Sequence, residues 1–573
     1  MDVGEMQRKL SQWATQDKSK QFYGLYDLLY DKDWLRLAHD HVAQNAGSIT
    51  AGCDGINMQA FDEQVEENLH LLAHELRTET FIPAPVRRVY IPKASGRLRP
   101  LGIASIRDRI VQEAVGMVLE PIYEADFSPY SFGFRPTRSV MDAVKCILWS
   151  TQEHKKFFWC IEGDIASYFD TVNQEHLVRL IRRRIKDEWL ITLLWKFLRA
   201  GVMEGKLFKE TRDGVPQGGI VSPLMSNVYL TEFDRYMERY TALSAKEKTG
   251  RRRHGEANYV YCRYADDFVA LGNGTREQAE QLKEEMFTFL REDLKLELSW
   301  EKTKITHLND AFDFLGFRIV RAQGQTGMTT KVLIPPDAIQ RLHDKISRVT
   351  APSSCQDSVT TTFVALNRII GGWCRYYQYT SKASTTFAKV EYFTFWKVVH
   401  WLGRKYKLTV PAVLRRFKRG NTFATADCRL VRATDFRTQM YRQRFLKPNP
   451  YTTQVRLNRE EHFYEPAWTG YEARPGMTDL RPLVWERDEK CCRKCGSVVT
   501  LHTARVDHVR PVRRFRRAVE ANRLDNLQTL CEACDMAKTQ SDHQRESPAR
   551  RKLHTGFGGR SEETASITQH PVN

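Results

Sequence analysis

Two adjacent carboxylates, Asp266 and Asp267, interrupt an otherwise apolar and aromatic stretch, Tyr259-Val-Tyr-Cys-Arg-Tyr-Ala-Asp-Asp-Phe-Val-Ala-Leu-Gly272. Val260, Cys262 and Tyr264 before them, and Phe268, Val269, Ala270 and Leu271 after, have the character of two short strands, which puts Ala265 and Asp266 at a tight hairpin turn. Like charges held side by side against buried strands raise each other's pKa unless a cation favours the ionised form. A divalent metal ion meets that need. A third carboxylate has similar surroundings, because the strand-like run Phe157-Phe-Trp-Cys-Ile-Glu-Gly-Asp164 ends on an acid. If that strand lies beside the hairpin, the carboxylates converge on one site. Asp164, Asp266 and Asp267 would then hold two Mg2+ ions by hard oxygen ligands, one activating an attacking hydroxyl and one stabilising the leaving oxygen of an in-line phosphoryl displacement. That is the chemistry of a polymerase.

Tyr264-Ala-Asp-Asp267 resembles the palm signature of reverse transcriptases, and the blocks around it resemble, in order over about residues 20 to 540, the group II intron-encoded reverse transcriptase and maturase family. The resemblance implies a multidomain α+β protein: right-hand polymerase fingers and palm with an antiparallel palm sheet, a three-helix thumb, and a small zinc-containing ββα HNH module at the C-terminus. Expected boundaries are an N-terminal helical extension over 1–80, fingers and palm over 81–330, a thumb or maturase domain over 331–425, a DNA-binding linker over 426–480, the HNH domain over 481–544 and a disordered tail over 545–573.

A chain of 573 residues has room for several domains. Its net charge of +18 calls for a polyanionic partner, most simply nucleic acid. The surplus is localised: residues 331–450 hold 22 Lys and Arg against 6 Asp and Glu. The first ten residues contain no apolar signal core, and no segment approaches the roughly 18 consecutive apolar residues of a membrane helix. A soluble, cytoplasmic protein with no membrane partner is expected. Of twelve cysteines, five cluster between Cys491 and Cys534, which favours a metal site over a disulfide framework.

Along the chain, Trp13, Phe22, Leu25, Tyr26, Leu29, Trp34, Leu35 and Leu37 make a one-sided apolar helical face. Gly52-Cys-Asp-Gly55 resembles the turn that precedes the fingers in the family, with cysteine in place of valine. Val86 to Ile103 alternates like two strands joined at Ala94-Ser-Gly96. The resemblance implies that Lys93 and Arg99, flanking that turn, neutralise the triphosphate of an incoming dNTP. Arg135 and Arg138 are candidates for template or nucleotide contact, with a structural use the alternative. Phe169 stands where the family places the ring that excludes a ribose 2′-hydroxyl. Gly214-Val-Pro-Gln217-Gly-Gly allows close backbone approach before a helix over 224–237, with Gln217 near the nascent base pair. Lys246 to Arg253 reads as a solvated basic loop. Lys302 and Phe314-Leu-Gly-Phe317 complete the palm, Lys302 as a nucleotide-binding residue.

Three apolar helical faces follow, around Ile339 to Val349, Val364 to Ile370 and Phe387 to Leu402. Aromatic and basic residues interleave there, and basic side chains grip phosphates while aromatics stack on unpaired bases. Arg375, Tyr376, Arg404, Lys405, Lys407, Arg415, Arg416, Lys418 and Arg419 are the candidates for binding the parent intron RNA.

Cys492-Arg-Lys-Cys495 and Cys531-Glu-Ala-Cys534 are two paired-thiolate hooks able to close on one tetrahedral Zn2+. With Asp507-His508 and Asn526 between them, the arrangement resembles an HNH endonuclease. The resemblance implies His508 as general base, Asp507 and Asp535 as Mg2+ ligands, Asn526 as a brace, the zinc as structural, and Arg510, Arg513, Arg514, Arg516 and Arg517 on target double-stranded DNA. Asp535 departs from the histidine or asparagine that many members carry. The implied whole is an RNA-dependent DNA polymerase and intron-splicing maturase whose HNH site nicks DNA to prime reverse transcription. A splicing cofactor that works mainly by binding RNA, and a reverse transcriptase of another retroelement, are the alternatives. The intact carboxylates and Asp507-His508 argue against the first, the long basic thumb and appended HNH module against the second.

Overall fold

The computed structural model describes residues 2–92, 98–205, 207–211, 213–324, 327–441, 449–451, 484–499, 504–509, 526–531, 534–535 and 538. The chain divides into two units, Met1–Val455 and Arg456–Asn573, inside the stretch expected to be a linker.

The first unit opens with helices. Asp2 caps α1 (Val3–Gln16) and Asp31 caps α2 (Lys32–Ala43), each carboxylate accepting from free N–H groups of the first turn. Short α3 (Met58–Asp62) and α4 (Val65–Arg77) follow. The strands β1 (Val86–Pro92) and β2 (Leu98–Ile103) pair antiparallel as the alternation predicts; Lys93, at their connection, lies outside the described residues. Next come the almost wholly buried α5 (Ile106–Glu124) and α6 (Val140–Ser150), the latter opened by a reciprocal Ser139–Asp142 capping box.

After β3 (Trp159–Asp164), three helices, α7 (Tyr168–Thr171), α8 (Gln174–Ile181) and α9 (Glu188–Leu198), lead to β4 (Val202–Glu204) and β5 (Leu207–Lys209). These two extend the first hairpin into a sheet of order β2-β1-β4-β5. Then come α10 (Ser222–Thr241) and α11 (Ala245–Arg253). The second corrects the expected basic loop. Ser244 and Glu247 close a capping box at its start, and Arg251, Arg252 and Arg253 in its last turn suit the negative end of the helix dipole, so a charge run that looks unstructured is helical.

The strands β6 (Tyr259–Tyr264) and β7 (Asp267–Gly272), then α12 (Arg276–Glu292) and β8 (Lys304–His307), complete an antiparallel sheet of order β6-β7-β3-β8. Its strands lack polar alternation because both faces are covered. Ile161, Tyr259, Tyr261, Phe268 and Ala270 join the core with α5 and α10, whereas Cys160, Cys262, Val269 and Leu271 join a second core. The second core runs on through β9 (Phe312–Phe314), β10 (Phe317–Gln323) and β11 (Met328–Leu333) into the helices beyond.

Those helices are α13 (Pro336–Val349), α14 (Val359–Tyr377) and α15 (Ala383–Tyr406), at the three expected apolar faces, with a shorter fourth, α16 (Val410–Phe417). A small ribbon, β12 (Lys418–Arg419) and β13 (Thr422–Phe423), follows. Residues expected to start a linker pack instead: Leu430 and Ala433 are buried, and the Asn367 amide accepts from Val431 N–H at 2.7 Å and donates to the Arg429 carbonyl at 2.8 Å. No helix of the described residues is long and apolar enough to cross a membrane.

In the second unit, β14 (Arg505–His508) pairs antiparallel with β15 (Leu527–Leu530), and Cys534, Asp535 and Lys538 are helical. Among the described residues its buried apolar cluster is Val484, Val506 and Leu527.

Candidate functional site

Strand pairing brings the three carboxylates of the first unit together. The turn falls at Ala265 and Asp266, where the residue pattern puts it, and Ala265 takes a left-handed φ of 58°. Asp164 is the direct partner of Asp267 across β3 and β7. One residue back, Gly163 faces Phe268, and a Cβ on Gly163 would come 2.0 Å from that ring, so only glycine lets the two strands close at the acids.

Burial raises the Asp266 carboxyl above its ordinary value, and the Asp164 charge adds to the effect, while Arg99 and Arg263 oppose it. Asp267 keeps an exposed face, yet crowding by the strands, then the charges of Asp266 and Asp164, pushes it up to about 6. Excess negative charge on oxygen donors is thus concentrated at one sheet end. Such a donor set fits hard divalent cations.

Lys302, expected on the nucleotide, donates to Asp164 Oδ2 at 2.6 Å and is the cation that opposes the shift of Asp267. Arg99, exposed on β2, donates from Nε to Gln217 Oε1 at 3.4 Å. The Gly102 N–H donates to the Gln217 carbonyl at 2.6 Å, and at Gly218, with φ 103°, a Cβ would stand 2.3 Å from the Gly102 carbonyl oxygen. The glycine pair therefore docks the Gln217 loop on β2. Phe169 is buried, and its carbonyl accepts from Val215 N–H at 2.7 Å; with Arg88, Gly102 and Gln217 it lines one pocket.

Other candidates have structural uses. Arg135 is buried in a two-armed ion pair with Glu124 (2.7 and 2.9 Å), and Arg138 donates to the Pro129 carbonyl at 3.0 Å. Tyr376 donates to the Leu315 carbonyl at 2.7 Å with its ring stacked on Phe317, and Lys405 ties α15 to the Cys355 and Asp357 carbonyls at 2.8 and 2.9 Å. Arg375 is half-buried, 5.9 Å from the Phe436 ring. Arg404, Lys407, Arg415, Arg416, Lys418 and Arg419 stay exposed. Sequence reasoning passed over Arg263, although an arginine inside an apolar strand is itself a signal.

In the second unit the four thiol sulfurs of Cys492, Cys495, Cys531 and Cys534 lie within 4.8 Å of one another, with Cys495 and Cys531 3.7 Å apart. A tetrahedral site with metal–sulfur bonds of about 2.3 Å spaces its sulfurs by about 3.8 Å, so the set fits one metal ion. His508 is buried on β14, next to Asp507, and Lys538 contacts the Asp507 carboxylate and donates to the His508 carbonyl at 2.7 Å. Val509 N–H donates to the Asn526 carbonyl at 2.7 Å, which places Asn526 beside His508. The basic run Arg510 to Arg517 lies outside the described residues.

Three family models match successive parts of the chain: Reverse transcriptase (RNA-dependent DNA polymerase) over residues 91–319, Group II intron, maturase-specific domain over 339–419, and HNH endonuclease over 492–541. The chain is 43% identical over 345 residues to Protein YkfC of Escherichia coli (strain K12), covering 57% of this chain and 91% of that protein. It is 31% identical over 487 residues to the Group II intron-encoded protein LtrA of Lactococcus lactis subsp. cremoris, covering 72% of this chain and 80% of that protein. A Putative COX1/OXI3 intron 2 protein of Saccharomyces cerevisiae is 27% identical over 459 residues, 68% of this chain and 53% of its own length.

Proposed function

The chain belongs to the group II intron-encoded protein family, as a reverse transcriptase with maturase and HNH endonuclease domains, and from that premise we propose how its residues divide the work. It acts on RNA and DNA. The observation that carries the assignment is the pairing of Asp164 with Asp267 beside the Asp266 turn.

Asp164, Asp266 and Asp267, at the end of the β6-β7-β3-β8 palm sheet, hold two Mg2+ ions. Bound there, the ions supply charge stabilisation for in-line nucleotidyl transfer. Arg99, on the fingers hairpin of β1 and β2, faces the dNTP triphosphate, and Lys93 is assigned a share in neutralising it. Gln217, docked on the same hairpin, lies against the nascent pair, and Phe169 limits the space for a ribose 2′-hydroxyl. Lys302, which donates to Asp164 Oδ2 at 2.6 Å, stands at the carboxylate site and would contact the nucleotide from there. Helices α13 to α15, with α16, form the thumb and maturase region, where exposed Arg404, Lys407, Arg415, Arg416, Lys418 and Arg419 grip phosphates of the parent intron RNA. Lys405, Arg375 and Tyr376 serve that surface by holding it in shape.

In the HNH unit, Zn2+ on the four thiolates is structural. Asp507 and Asp535 would hold a catalytic Mg2+, which would supply charge stabilisation for phosphodiester hydrolysis; His508 is the general base for the water, and Asn526 braces the hairpin that carries it. Nicked target DNA then supplies the 3′-hydroxyl that primes copying of the intron RNA.

The test is primer extension on an RNA template with dNTPs and Mg2+, comparing the intact chain with Asp266→Ala. Template-dependent cDNA from the intact chain alone supports the assignment. Extension that survives in the variant removes the carboxylate site.

A further inference from the structure

Arg263 lies on β6, three residues before Asp266, and no part of its side chain reaches solvent. All three guanidinium nitrogens are used inside the protein. Nε and Nη2 donate to the two Asp234 oxygens at 2.7 and 2.6 Å, and Nη1 donates to Asn227 Oδ1 at 3.0 Å and to the Ala265 carbonyl at 2.9 Å. Asp234 and Asn227 are themselves buried, and both belong to α10. Asn227 also donates to the Gly133 carbonyl at 2.9 Å, and Gly133 backs the turn so closely that a Cβ there would lie 2.3 Å from the Ala265 nitrogen. The residue enclosed by these contacts is Ala265, in a left-handed conformation that side chains other than glycine's disfavour.

A buried ion pair is poor support for stability, because the desolvation of both charges offsets their attraction and an apolar pair of similar volume often does as well. The third arm of this arginine is what an apolar pair cannot supply. Here a planar guanidinium from the hairpin's own β6, pinned through Asp234 and Asn227 to a twenty-residue helix, also reaches the tip's carbonyl.

We propose that Arg263, braced by Asp234 and Asn227, is a positioning residue for polymerisation: it holds the peptide after Ala265 and so sets where the Asp266 carboxylate stands relative to Asp164 for divalent-cation binding. The inference rests on the reading that these carboxylates hold the catalytic ions. Lysine at 263 would keep a charge beside Asp234 but has no second arm for the Ala265 carbonyl.

The experiment uses the full chain, with primer extension measured as Mg2+ is titrated, alongside dNTP KM, template–primer binding and thermal unfolding. Arg263→Lys is expected to raise the half-saturating Mg2+ by about fivefold and lower kcat by about tenfold, the scale of effect of a misplaced ligand, with dNTP KM and template–primer binding within about twofold. Adding Ala265→Gly should recover part of the loss, since glycine takes the positive φ without being held there. A Mg2+ dependence like that of the unaltered chain, with activity falling only in step with the folded fraction, would reduce Arg263 to a stability element. Should Arg263→Lys not fold, Asn227→Ala is read the same way, and an unshifted Mg2+ dependence there overturns the proposal. Asp266→Ala separates the two levels. If it stays active, the carboxylate assignment fails; if it is inactive while the position 263 and 227 variants show no Mg2+ shift, only the positioning role fails.

Discussion

Around Asp266 the protein supplies the rigidity. Two cores clasp the sheet, Asp164 is locked opposite Asp267 by strand register, and a buried guanidinium holds the turn from below. Around Cys492 the described apolar cluster is three residues, and the sulfurs of the hook before β14 and the one after β15 lie within 4.8 Å of one another. The first site is built by packed strands, whereas in the second it is four thiols, spaced to fit one metal ion, that bring the two hooks together.

The strongest test of that contrast is removal of the metal ion proposed for the four thiols. Chelation, or Cys531→Ser, is expected to withdraw about 10 kcal/mol or more of binding energy from the second unit and unfold it, with primer extension in restored Mg2+ unchanged. Circular dichroism and limited proteolysis read the first effect. Loss of extension by the Cys531 variant would show that the polymerase depends on that module after all.

Asp266→Ala should reverse the pattern: extension falls by about a thousandfold or more, while the melting temperature holds or rises because a crowded like charge has been removed. A large drop in stability would mean that the acids are part of the scaffold. For the second unit, His508→Ala is expected to reduce nicking of target DNA by about a hundredfold or more, the usual worth of a general base, with extension on a supplied primer intact. Undiminished nicking would place the base elsewhere.

The smallest effect concerns a buried carboxylate whose burial outweighs the help it gets from Tyr451 and Arg135. Burial pushes Glu120 from an ordinary 4.5 up to about 7, although the Tyr451 hydroxyl donates to it at 2.5 Å. Below pH 4.5 the carboxyl is neutral in folded and unfolded chains alike; between about 4.5 and 7 the folded chain binds more protons, so this group costs increasing stability as pH rises. Glu120→Gln removes that slope. Its melting temperature relative to the unaltered chain should be higher at pH 8 than at pH 5, by an amount corresponding to about 2 kcal/mol. A pH-independent difference would show that the carboxyl is not the titrating group.

Much of both sites was legible in the residues. The Asp-Asp turn, the strand ending at Asp164 and the paired Cys hooks are local patterns whose chemistry is visible at short spacing. The apolar faces of α13 to α15 were equally plain, since a helical stripe repeats within one element. One misreading came from charge. The run over Lys246 to Arg253 looked like solvent-exposed loop, but the Ser244 cap and the favourable charge at its end make it α11. Arg135, left open between a nucleic-acid contact and a structural use, is buried on Glu124, eleven residues back. Tyr376, a candidate for RNA, has its hydroxyl on the Leu315 carbonyl, a partner 61 residues back that no local pattern marks.

The sequence by itself determined what can be decided within one strand, turn or metal hook: where chain reversal occurs, which acids stand at strand ends, which thiols share a ligand set. Only the tertiary structure decided which charges face inward. Arg263 reaches its partners across intervals of 29 and 36 residues, and Lys302 reaches Asp164 across 138. Whether a charge is paired, buried or free depends on groups that packing brings near it, and no local pattern records those distances.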